Sequence, residues 1–389
     1  MGEIADYLNG RAFKPIEWEE SGEPIIRIQN LNKDTAQFNY TKQKFEDRFK
    51  VKKGDLLFAW SASLGVYFWN GENAWLNQHI FKVVPNEFCD KKFLFYTLEK
   101  ITAELYAKTH GSGMVHVTKG KFEATEIPFP PLPEQQLIVS KIEQLFSELE
   151  NGKQQLETAL QQLKVYRQSL LKWAFEGRLT NKKIKEGELP KGWKWVKLGE
   201  VCSSVEYGSA IKSKKTGKIP VLRMGNIQNG IFDWSDLVFT NDDDEIKKYL
   251  LRKNDVLFNR TNSAEWVGKT AIYKGERPAI FAGYLIRINR IESLIDANYL
   301  TYFLNTHFAK SYGNTVRSFG VNQSNINGTK LKTYPIPLAP LEEQHLIVQE
   351  LESKLTVCDK MEETITNSLL QAETLRQSIL KKAFEGKLV

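Results

Sequence analysis

A long internal repeat constrains the fold of this chain more than any other sequence feature. Residues 127–179 align without a gap to residues 336–388, at a constant offset of 209, with 22 identities in 53 positions. The identities gather at the two ends, as Ile-Pro-x-x-Pro-Leu-x-Glu-Gln-x-Leu-Ile-Val and as Arg-Gln-Ser-x-Leu-Lys-x-Ala-Phe-Glu-Gly-x-Leu. A period of this length indicates two large units of one architecture.

Each copy of the repeat predicts a proline-rich extended strap followed by one long helix. The helices begin near Glu134 and Glu343 and stop at Gly177 and Gly386, so each has about 43 residues, or roughly 64 Å at 1.5 Å per residue. Apolar residues recur in heptads. The predicted interface residues are Ile142, Leu149, Leu156, Leu163 and Leu170 in the first helix and Leu351, Cys358, Ile365, Ala372 and Ile379 in the second. Tyr166 and Leu375 widen the same stripes.

Neither helix can bury its apolar stripe alone, and the two have matching lengths. The first helix leaves one globular block and enters the next, whereas the second must return, so we expect them to pair antiparallel as a coiled coil. The predicted domains are residues 1–133 (head one), 134–179 (first spacer helix), 180–342 (head two) and 343–389 (second spacer helix).

The two heads also correspond to each other in sequence, with shifting offsets. Lys53-Gly54-Asp55 matches Lys253-Asn254-Asp255, and similar short matches recur along both heads. β-branched and aromatic runs between Gly, Asn and Asp turns predict mostly β heads with some helices. The expected fold class is therefore α+β, with two such heads separated by the coiled coil in a pseudo-twofold repeat. Loops that differ on a common frame are typical of modules that bind different targets.

Composition narrows the environment and the partner. Three scattered cysteines, Cys89, Cys202 and Cys358, fit a reducing compartment and argue against a structural zinc site. Neither a leader nor an apolar run of about 20 residues occurs, so we expect a cytoplasmic protein that does not contact a membrane. Residues 180–335 contain 25 Lys and Arg against 15 Asp and Glu, which favours a polyanion as partner.

The heads differ in one segment. Leu189-Pro190-Lys191-Gly192-Trp193 and the residues up to Leu198 precede the part of head two that matches the start of head one. Head one begins where this segment would have ended. Either the sequence is shortened there or head one lacks the segment.

Taken together, these motifs resemble the specificity subunit of type I restriction-modification systems. The residues that carry the resemblance are Leu-Pro-Lys-Gly-Trp-Lys-Trp-x-x-Leu-Gly-Glu-Val from position 189, Asp-x-Leu-Phe before Ala59 and Asn259, Pro-x-x-Pro-Leu-x-Glu-Gln before each helix and Ala-Phe-Glu-Gly-x-Leu after each helix. The resemblance implies two target recognition domains that read a bipartite double-stranded DNA site with a nonspecific gap. It also implies two methyltransferase subunits and restriction subunits as partners. S-adenosylmethionine, ATP and Mg²⁺ are then expected on those partners, with no cofactor bound by this chain.

The residues themselves predict no catalytic or metal site. The sequence contains neither a phosphate-binding loop nor an Asn-Pro-Pro-Phe/Tyr methyltransferase motif. One alternative is a metal-dependent nuclease that uses Asp236, Glu245 and Lys247. The Asp-rich turn before Glu245 is also typical of a helix cap. A further alternative is a coiled-coil adaptor that binds only proteins.

Candidate DNA-binding residues are polar side chains in loops that differ between the heads. Arg260 suits a forked contact to guanine and Asn262 a paired contact to adenine. Turn formation or phosphate contact is an open alternative for each of the candidates. Those in head two are Lys212, Lys214, Lys215, Arg260, Asn262, Ser263, Arg317, Gln323, Ser324 and Asn325. Those in head one are Trp60, which also suits a core position, Ser61, Ser63, His110, Ser112, His116 and Lys119.

Overall fold

The computed structural model describes residues 1–33, 35–61, 63–108, 119–181, 183–185, 187–319 and 323–388. The chain divides into two compact units. Unit 1 comprises Met1–Glu157 and Thr366–Val389, and unit 2 comprises Thr158–Ile365. Each unit therefore contains one head together with one part of each long helix.

Unit 1 contains short strands and three helices before the first long helix. Its strands are β1 (Ala5–Asn9), β2 (Glu23–Ile26), β3 (Asn39–Thr41), β4 (Lys50–Val51), β5 (Leu56–Ala59), β6 (Gly65–Phe68), β7 (Ala74–Leu76) and β8 (Ile80–Pro85). Its helices are α1 (Ile28–Asn32), α2 (Lys91–Lys108) and α3 (Lys119–Glu123), and the long helix α4 (Leu132–Phe175) starts in this unit.

Two four-stranded sheets form the head of unit 1. One is antiparallel with the order β1-β8-β5-β6, and the other has the order β3-β2-β7-β4 with β2 and β7 parallel. All four residues of β5 are buried, because one face packs on the core that contains Phe58 and Phe81 and the other on the core that contains Leu57 and Ile26. Because β5 is buried on both faces, its sequence is continuously apolar.

Unit 2 repeats this arrangement with additional short strands. Its strands are β9 (Lys194–Lys197), β10 (Cys202–Tyr207), β11 (Ile219–Leu222), β12 (Ile227–Gln228), β13 (Ile231–Phe232), β14 (Val238–Thr240), β15 (Val256–Asn259), β16 (Thr261–Asn262), β17 (Thr270–Ile272), β18 (Ile280–Phe281), β19 (Leu285–Arg290), β20 (Ser318–Phe319), β21 (Ser324–Asn325) and β22 (Pro335–Leu338). Its helices are α5 (Asp243–Tyr249), α6 (Ala297–Leu304), α7 (His307–Val316) and α8 (Gly328–Leu331), and the long helix α9 (Leu341–Phe384) starts here.

The main sheets of the two heads correspond to each other. The antiparallel sheet β10-β19-β15-β17 matches β1-β8-β5-β6, and the sheet β14-β11-β18 contains the parallel pair that β2 and β7 form in unit 1. Two mostly β heads with some helices confirm the fold class expected from the sequence. The free cysteines Cys89, Cys202 and Cys358 are all buried.

The matching turns before β5 and β15 show why the two sequences agree there. Gly54 and Asn254 both have a positive φ, at 87° and 71°, a conformation that Gly and Asn adopt most readily. The carboxylate of Asp255 accepts a hydrogen bond from the Arg252 amide at 2.9 Å and pairs with Arg287 at 3.1 Å. Asp55 makes the equivalent contacts in unit 1. The aspartate thus fixes the turn and neutralises a cation on the neighbouring strand.

Both long helices have 44 residues, or about 66 Å at 1.5 Å per residue. In unit 1, the guanidinium of Arg376 lies over the ring of Phe146 at 4.1 Å, and Lys153 pairs with Glu373 at 2.7 Å. Residue numbers rise along α4 while those of its partners on α9 fall, so the helices run antiparallel.

In unit 2, the remaining parts of α4 and α9 also pack together. Arg167 pairs with Asp359 at 2.7 Å and with Glu362 at 2.9 Å. Leu163 and Cys358 belong to one buried cluster.

The buried seam of the long helices is narrower than the stripe seen in the sequence. Among the predicted interface residues Ile142, Leu163, Leu170, Leu351, Cys358, Ala372 and Ile379 are buried and Leu149, Leu156 and Ile365 are half-buried. By contrast, Tyr166 and Leu375 are 43 % and 49 % exposed, so their inclusion in the stripe was wrong. Two paired helices bury one strip on each partner and leave the flanking positions in solvent.

The segment before head two is a strand in the structure. β9 pairs antiparallel with β22, the strand that leads into α9. Residues 126–131, which precede α4 in unit 1, belong to no strand. Within the part of the chain that the structure describes, no helix is long and apolar enough to cross a membrane.

Candidate nucleic-acid interface

Three distant segments of unit 2 meet in one small sheet at the end of β15. β21 lies between β16 and β20, with Thr261 opposite Asn325 and Ser318 opposite the same residue. Asn325 Nδ2 also donates to Thr261 Oγ1 at 2.8 Å. The sheet therefore brings two groups of predicted candidates together, one near Arg260 and the other near Arg317 and Asn325. Nothing in the sequence indicated that these two groups are neighbours.

Arg260 leaves the buried strand β15 at this sheet, and its backbone is held on both sides. Its amide donates to the Tyr284 carbonyl at 3.0 Å, and its carbonyl accepts from the Ile326 amide at 2.9 Å. Its guanidinium carbon lies 4.8 Å from the ring centroid of Tyr207. Sequence reasoning missed Tyr207, because it is 53 positions away and only the pairing of β10 with β19 brings it near.

The loop after Arg260 is closed by Asn259, a fully buried side chain at the end of β15. Asn259 Nδ2 donates to the Trp266 carbonyl at 3.3 Å, and its Oδ1 accepts from the Thr261 amide at 3.3 Å. Lys269 Nζ lies 3.9 Å from the centroid of the Trp266 ring. Burial and the nearby Lys310 lower the pKa of Lys269. Trp266 and Lys269 are a second pair that the sequence did not indicate.

The other predicted residues near this sheet differ in accessibility. Arg317 Nη1 donates to the Ala264 carbonyl at 2.9 Å and to Asn314 Oδ1 at 2.7 Å, so it holds the loop. Ser324 is buried, whereas Gln323 is exposed. Asn262 Oδ1 accepts from the Ser263 amide at 2.8 Å.

Three predicted lysines lie on the connection between β10 and β11. Lys212, Lys214 and Lys215 are exposed. The backbone of Lys214 is fixed by two 2.8 Å hydrogen bonds with Phe239. None of the three pairs with a carboxylate among the residues that the structure describes, whereas the nearby Lys218 pairs with Asp243 at 2.8 Å. Cations on an anchored backbone without acidic partners are suited to contact phosphates.

In unit 1 the corresponding strand end has different chemistry. Trp60 follows β5 and packs against Phe81, with ring centroids 5.6 Å apart, and against His79 at 5.8 Å. Ser63 Oγ accepts from Asn32 Nδ2 at 3.1 Å. Ser61 is half-buried. An aromatic stack thus occupies the position where unit 2 has an arginine.

Several candidates of head one lie outside the described residues. These are His110, Ser112 and His116. Lys119 is the first residue of α3, and only its backbone is described.

Two aspartates in the region of the nuclease alternative have structural partners. Asp242 caps α5, because its Oδ1 accepts from the Glu245 amide at 3.0 Å. Asp236 pairs with Arg223 at 2.9 Å. No group of three potential metal ligands gathers anywhere in the described ranges. The geometry matches the capping interpretation of this turn.

Register shows that Arg260 and Trp60 occupy equivalent positions. Asn259 pairs with Leu285 at the end of β15, as Ala59 pairs with Ile80 at the end of β5. The residue that follows is arginine in one head and tryptophan in the other. A common frame that carries different side chains at the same strand end is suited to binding two different targets.

Comparison with known proteins agrees with this architecture. A family model described as the type I restriction modification DNA specificity domain matches residues 1–158 and 190–371. The specificity subunit of the type I restriction enzyme EcoBI from Escherichia coli is 28 % identical over 412 residues, covering 100 % of this chain and 85 % of that protein. The StySPI specificity subunit from Salmonella potsdam is 30 % identical over 389 residues, covering 94 % and 82 %.

Solved structures show the same fold. A chain from a type I R-M system, solved to study its assembly and conformational transition, has a TM-score of 0.73 at 23 % identity over 99 % of this chain and 96 % of that chain. The HsdS subunit from Thermoanaerobacter tengcongensis has a TM-score of 0.63 at 22 % identity, covering 99 % and 95 %.

Proposed function

This chain belongs to the type I restriction modification DNA specificity domain family, and from this premise we propose that it reads a bipartite double-stranded DNA site, with one half-site bound by each head. Its relatives are specificity subunits, the non-catalytic DNA-recognition subunits of their complexes. The observation that carries the proposal is the equivalence of Trp60 and Arg260 at the end of matching strands. One frame that carries different side chains at the same strand end suits two unlike half-sites.

In this proposal each head docks in the major groove through the loops at the end of β5 or β15. The major groove is the surface on which side chains distinguish all four base pairs. Phosphate contacts from exposed cations such as Lys212, Lys214 and Lys215 position the head without adding sequence information. The excess of cations in residues 180–335 supports this role.

The long helices set the gap between the half-sites in this proposal. α4 and α9 each contribute to both units, and the divisions fall after Glu157 and after Ile365. A continuous helix has a fixed rise per residue, and buried seam residues such as Leu163 and Cys358 hold the register of the pair. The length of the helices then determines how far apart the two half-sites lie on one duplex.

Equivalent exposed apolar residues support two copies of one partner. Leu137 and Leu346, which are related by the repeat, are 58 % and 56 % exposed, and Tyr166 and Leu375, also related, are 43 % and 49 % exposed. Each unit thus presents one residue of each pair on its helices. Single exposed apolar side chains are ordinary on a protein surface, so it is their recurrence at repeat-related positions that suits two copies of one partner. We assign these two surfaces to two methyltransferase subunits, which restriction subunits then join.

The methyl transfer and DNA cleavage belong to those partners in this proposal. S-adenosylmethionine, ATP and Mg²⁺ are bound there, and this chain supplies DNA recognition and assembly. Titration calorimetry of the isolated chain with S-adenosylmethionine is expected to show no binding, while the assembled complex binds it.

Mapping of methylated adenines in cells that contain the complex tests the proposal. The expected motif consists of two defined half-sites and a gap of constant length. Replacing residues 259–268 and 317–325 together with the corresponding loops of a relative should change one half-site only. The matched control replaces the long helices alone with those of a relative of equal helix length, which should change neither half-site. A change in both half-sites after the loop replacement contradicts independent reading by the two heads.

A further inference from the structure

Arg260 is held over an aromatic ring beside the small sheet of β16, β21 and β20 in unit 2. Its guanidinium lies 4.8 Å from the centroid of Tyr207, a distance at which a cation is attracted to the face of the ring. The Tyr207 hydroxyl accepts a hydrogen bond from the Gly328 amide at 2.7 Å. The ring that supports Arg260 is therefore anchored at its far end.

Gly328 makes this anchor possible. A Cβ atom at this position would lie 2.8 Å from Val205 Cγ2 and 3.2 Å from the Tyr207 oxygen. Only glycine lets the tyrosine approach the backbone so closely. The arrangement places the ring of Tyr207 in one position before any ligand arrives.

The guanidinium of Arg260 has no acidic partner among the residues that the structure describes. Two other arginines of the same unit are neutralised, because Arg223 pairs with Asp236 and Arg287 with Glu206. Arg260 Nε is buried without a hydrogen-bond partner. A forked cation that is oriented but not neutralised is prepared to bind an acceptor from outside the chain.

We propose that Arg260 reads a guanine in the half-site of head two and that Tyr207 is the residue that positions it, an inference that rests on the proposed DNA-recognition function. Guanine presents O6 and N7 on its major-groove edge, and the two terminal nitrogens of an arginine fork match this pair of acceptors. Stacking on Tyr207 fixes the plane of the fork, so less conformational freedom is lost when the two hydrogen bonds form.

Head one has no arginine at the equivalent position with which to read a guanine. Tyr207 lies opposite Ile286 and Asn9 opposite Phe81 in the matching strand pairs, so Asn9 replaces Tyr207 where Trp60 replaces Arg260. Neither side chain presents a forked pair of cationic donors. The inference therefore assigns the arginine-read guanine to one half-site and not to the other.

Selection from a randomised duplex library tests the inference, using the full chain assembled with its methyltransferase partner. Arg260→Lys keeps the charge and removes the fork. We expect about a tenfold to hundredfold loss of discrimination at one guanine of one half-site, with the salt dependence of binding nearly unchanged. Tyr207→Leu should relax the same guanine, whereas Tyr207→Phe, which keeps the ring and loses only its hydrogen bond to Gly328, should relax it less.

The control is Arg277→Ala, which removes an arginine stacked on Trp234 at 4.7 Å elsewhere in unit 2. It should leave the guanine specific. Retention of the other half-site in each variant reports that the protein is folded and assembled.

Three outcomes would overturn the inference. The first is that Arg260→Lys leaves every position specific. The second is that Arg260→Ala weakens binding to all sequences equally with a smaller salt slope, which identifies a phosphate contact. The third is that Tyr207→Leu relaxes a different base pair from Arg260→Lys. A wild-type complex that enriches no bipartite sequence would instead count against the proposed function itself.

Discussion

Gln135 and Gln344 are both fully buried and make the same three hydrogen bonds in the two units. Gln135 Oε1 accepts from the Asp90 amide at 2.8 Å, and its Nε2 donates to the carbonyls of Phe88 and Pro130 at 3.0 Å and 2.8 Å. Gln344 binds Asp296, Leu294 and Ala339 in the same way, at 2.8 to 2.9 Å. Each glutamine joins the start of a long helix to the N-cap of the helix that follows the antiparallel sheet. This role explains the Glu-Gln pair at the start of each repeat.

Loss of either glutamine should destabilise its own unit. Gln135→Ala leaves one amide and two carbonyls without partners, at about 1–3 kcal/mol for each buried group that water does not reach. We expect a decrease of about 3 kcal/mol in the free energy of unfolding, the lower end of this range for three groups, measured by urea denaturation. Hydrogen exchange should rise near residues 88–94 in this variant and near residues 294–300 in Gln344→Ala. The controls Gln136→Ala and Gln349→Ala remove exposed glutamines. Equal losses of stability in controls and variants would contradict the structural role of Gln135 and Gln344.

The glycines that follow the long helices should respond differently to alanine. Gly177 and Gly386 have φ values of 72° and 68°, where an L residue costs about 1–2 kcal/mol. A Cβ on Gly177 would also lie 2.1 Å from Pro190 Cγ, whereas a Cβ on Gly386 meets nothing within 4 Å. Chemical denaturation should therefore show a larger loss of stability for Gly177→Ala than for Gly386→Ala. Equal losses would mean that Pro190 moves aside without cost.

Lengthening both helices should lengthen the gap in the DNA site. Inserting three heptads after Glu157 and three after Ile365 adds about 32 Å, close to one turn of DNA at roughly 34 Å. The methylated motif should keep both half-sites and gain about nine or ten base pairs of gap. After the same insertion following Glu157 alone, the pairs Lys153–Glu373 and Arg167–Asp359, which lie on opposite sides of it, cannot both form, and methylation should be abolished. An unchanged gap after the double insertion would show that the helices do not set the spacing.

The exposed lysines of unit 2 should contribute to affinity without affecting sequence preference. Replacing Lys212, Lys214 and Lys215 with alanine should weaken binding to all duplexes. It should reduce the slope of log affinity against log salt by up to about 2.7, at 0.9 for each phosphate contact. Fluorescence anisotropy at several salt concentrations measures this slope. The control removes the same charge from Lys191, Lys194 and Lys197 near β9. An altered base preference in the first variant would indicate a reading role instead.

The stability of unit 1 should depend on the protonation of Glu99. Burial raises the pKa of Glu99 above its ordinary value of 4.5, against the opposing effect of Arg376 at 3.3 Å. The folded state therefore binds this proton more tightly than the unfolded state, so stability declines as the pH rises from 4.5 through the folded pKa. Glu99→Gln should remove this decline in urea denaturation measured across that range. Identical pH profiles for the two proteins would contradict the assignment.

The sequence predicted the repeated elements well because their signals are local. The heptads and the flanking glycines indicated helices from about 134 and 343, close to the observed starts at Leu132 and Leu341. The Gly-Asp and Asn-Asp turns indicated matching strands, because a positive φ favours those residue types. The sequence did not show which stripe residues are covered. Tyr166 and Leu375 have the correct spacing but lie beyond the narrow contact of two helices.

What the sequence alone determined is the presence of two similar units, their mostly β heads and the long helices, since periodicity and turn chemistry depend on neighbours in the chain. Only the tertiary structure decided which residues lie together at the end of β15. Arg260 could be named as a candidate from its position after a buried strand, but its support by Tyr207 arises from strand pairing across many residues. Such proximity leaves no periodic trace, because it depends on which distant strands share hydrogen bonds and not on the spacing of residues along one strand.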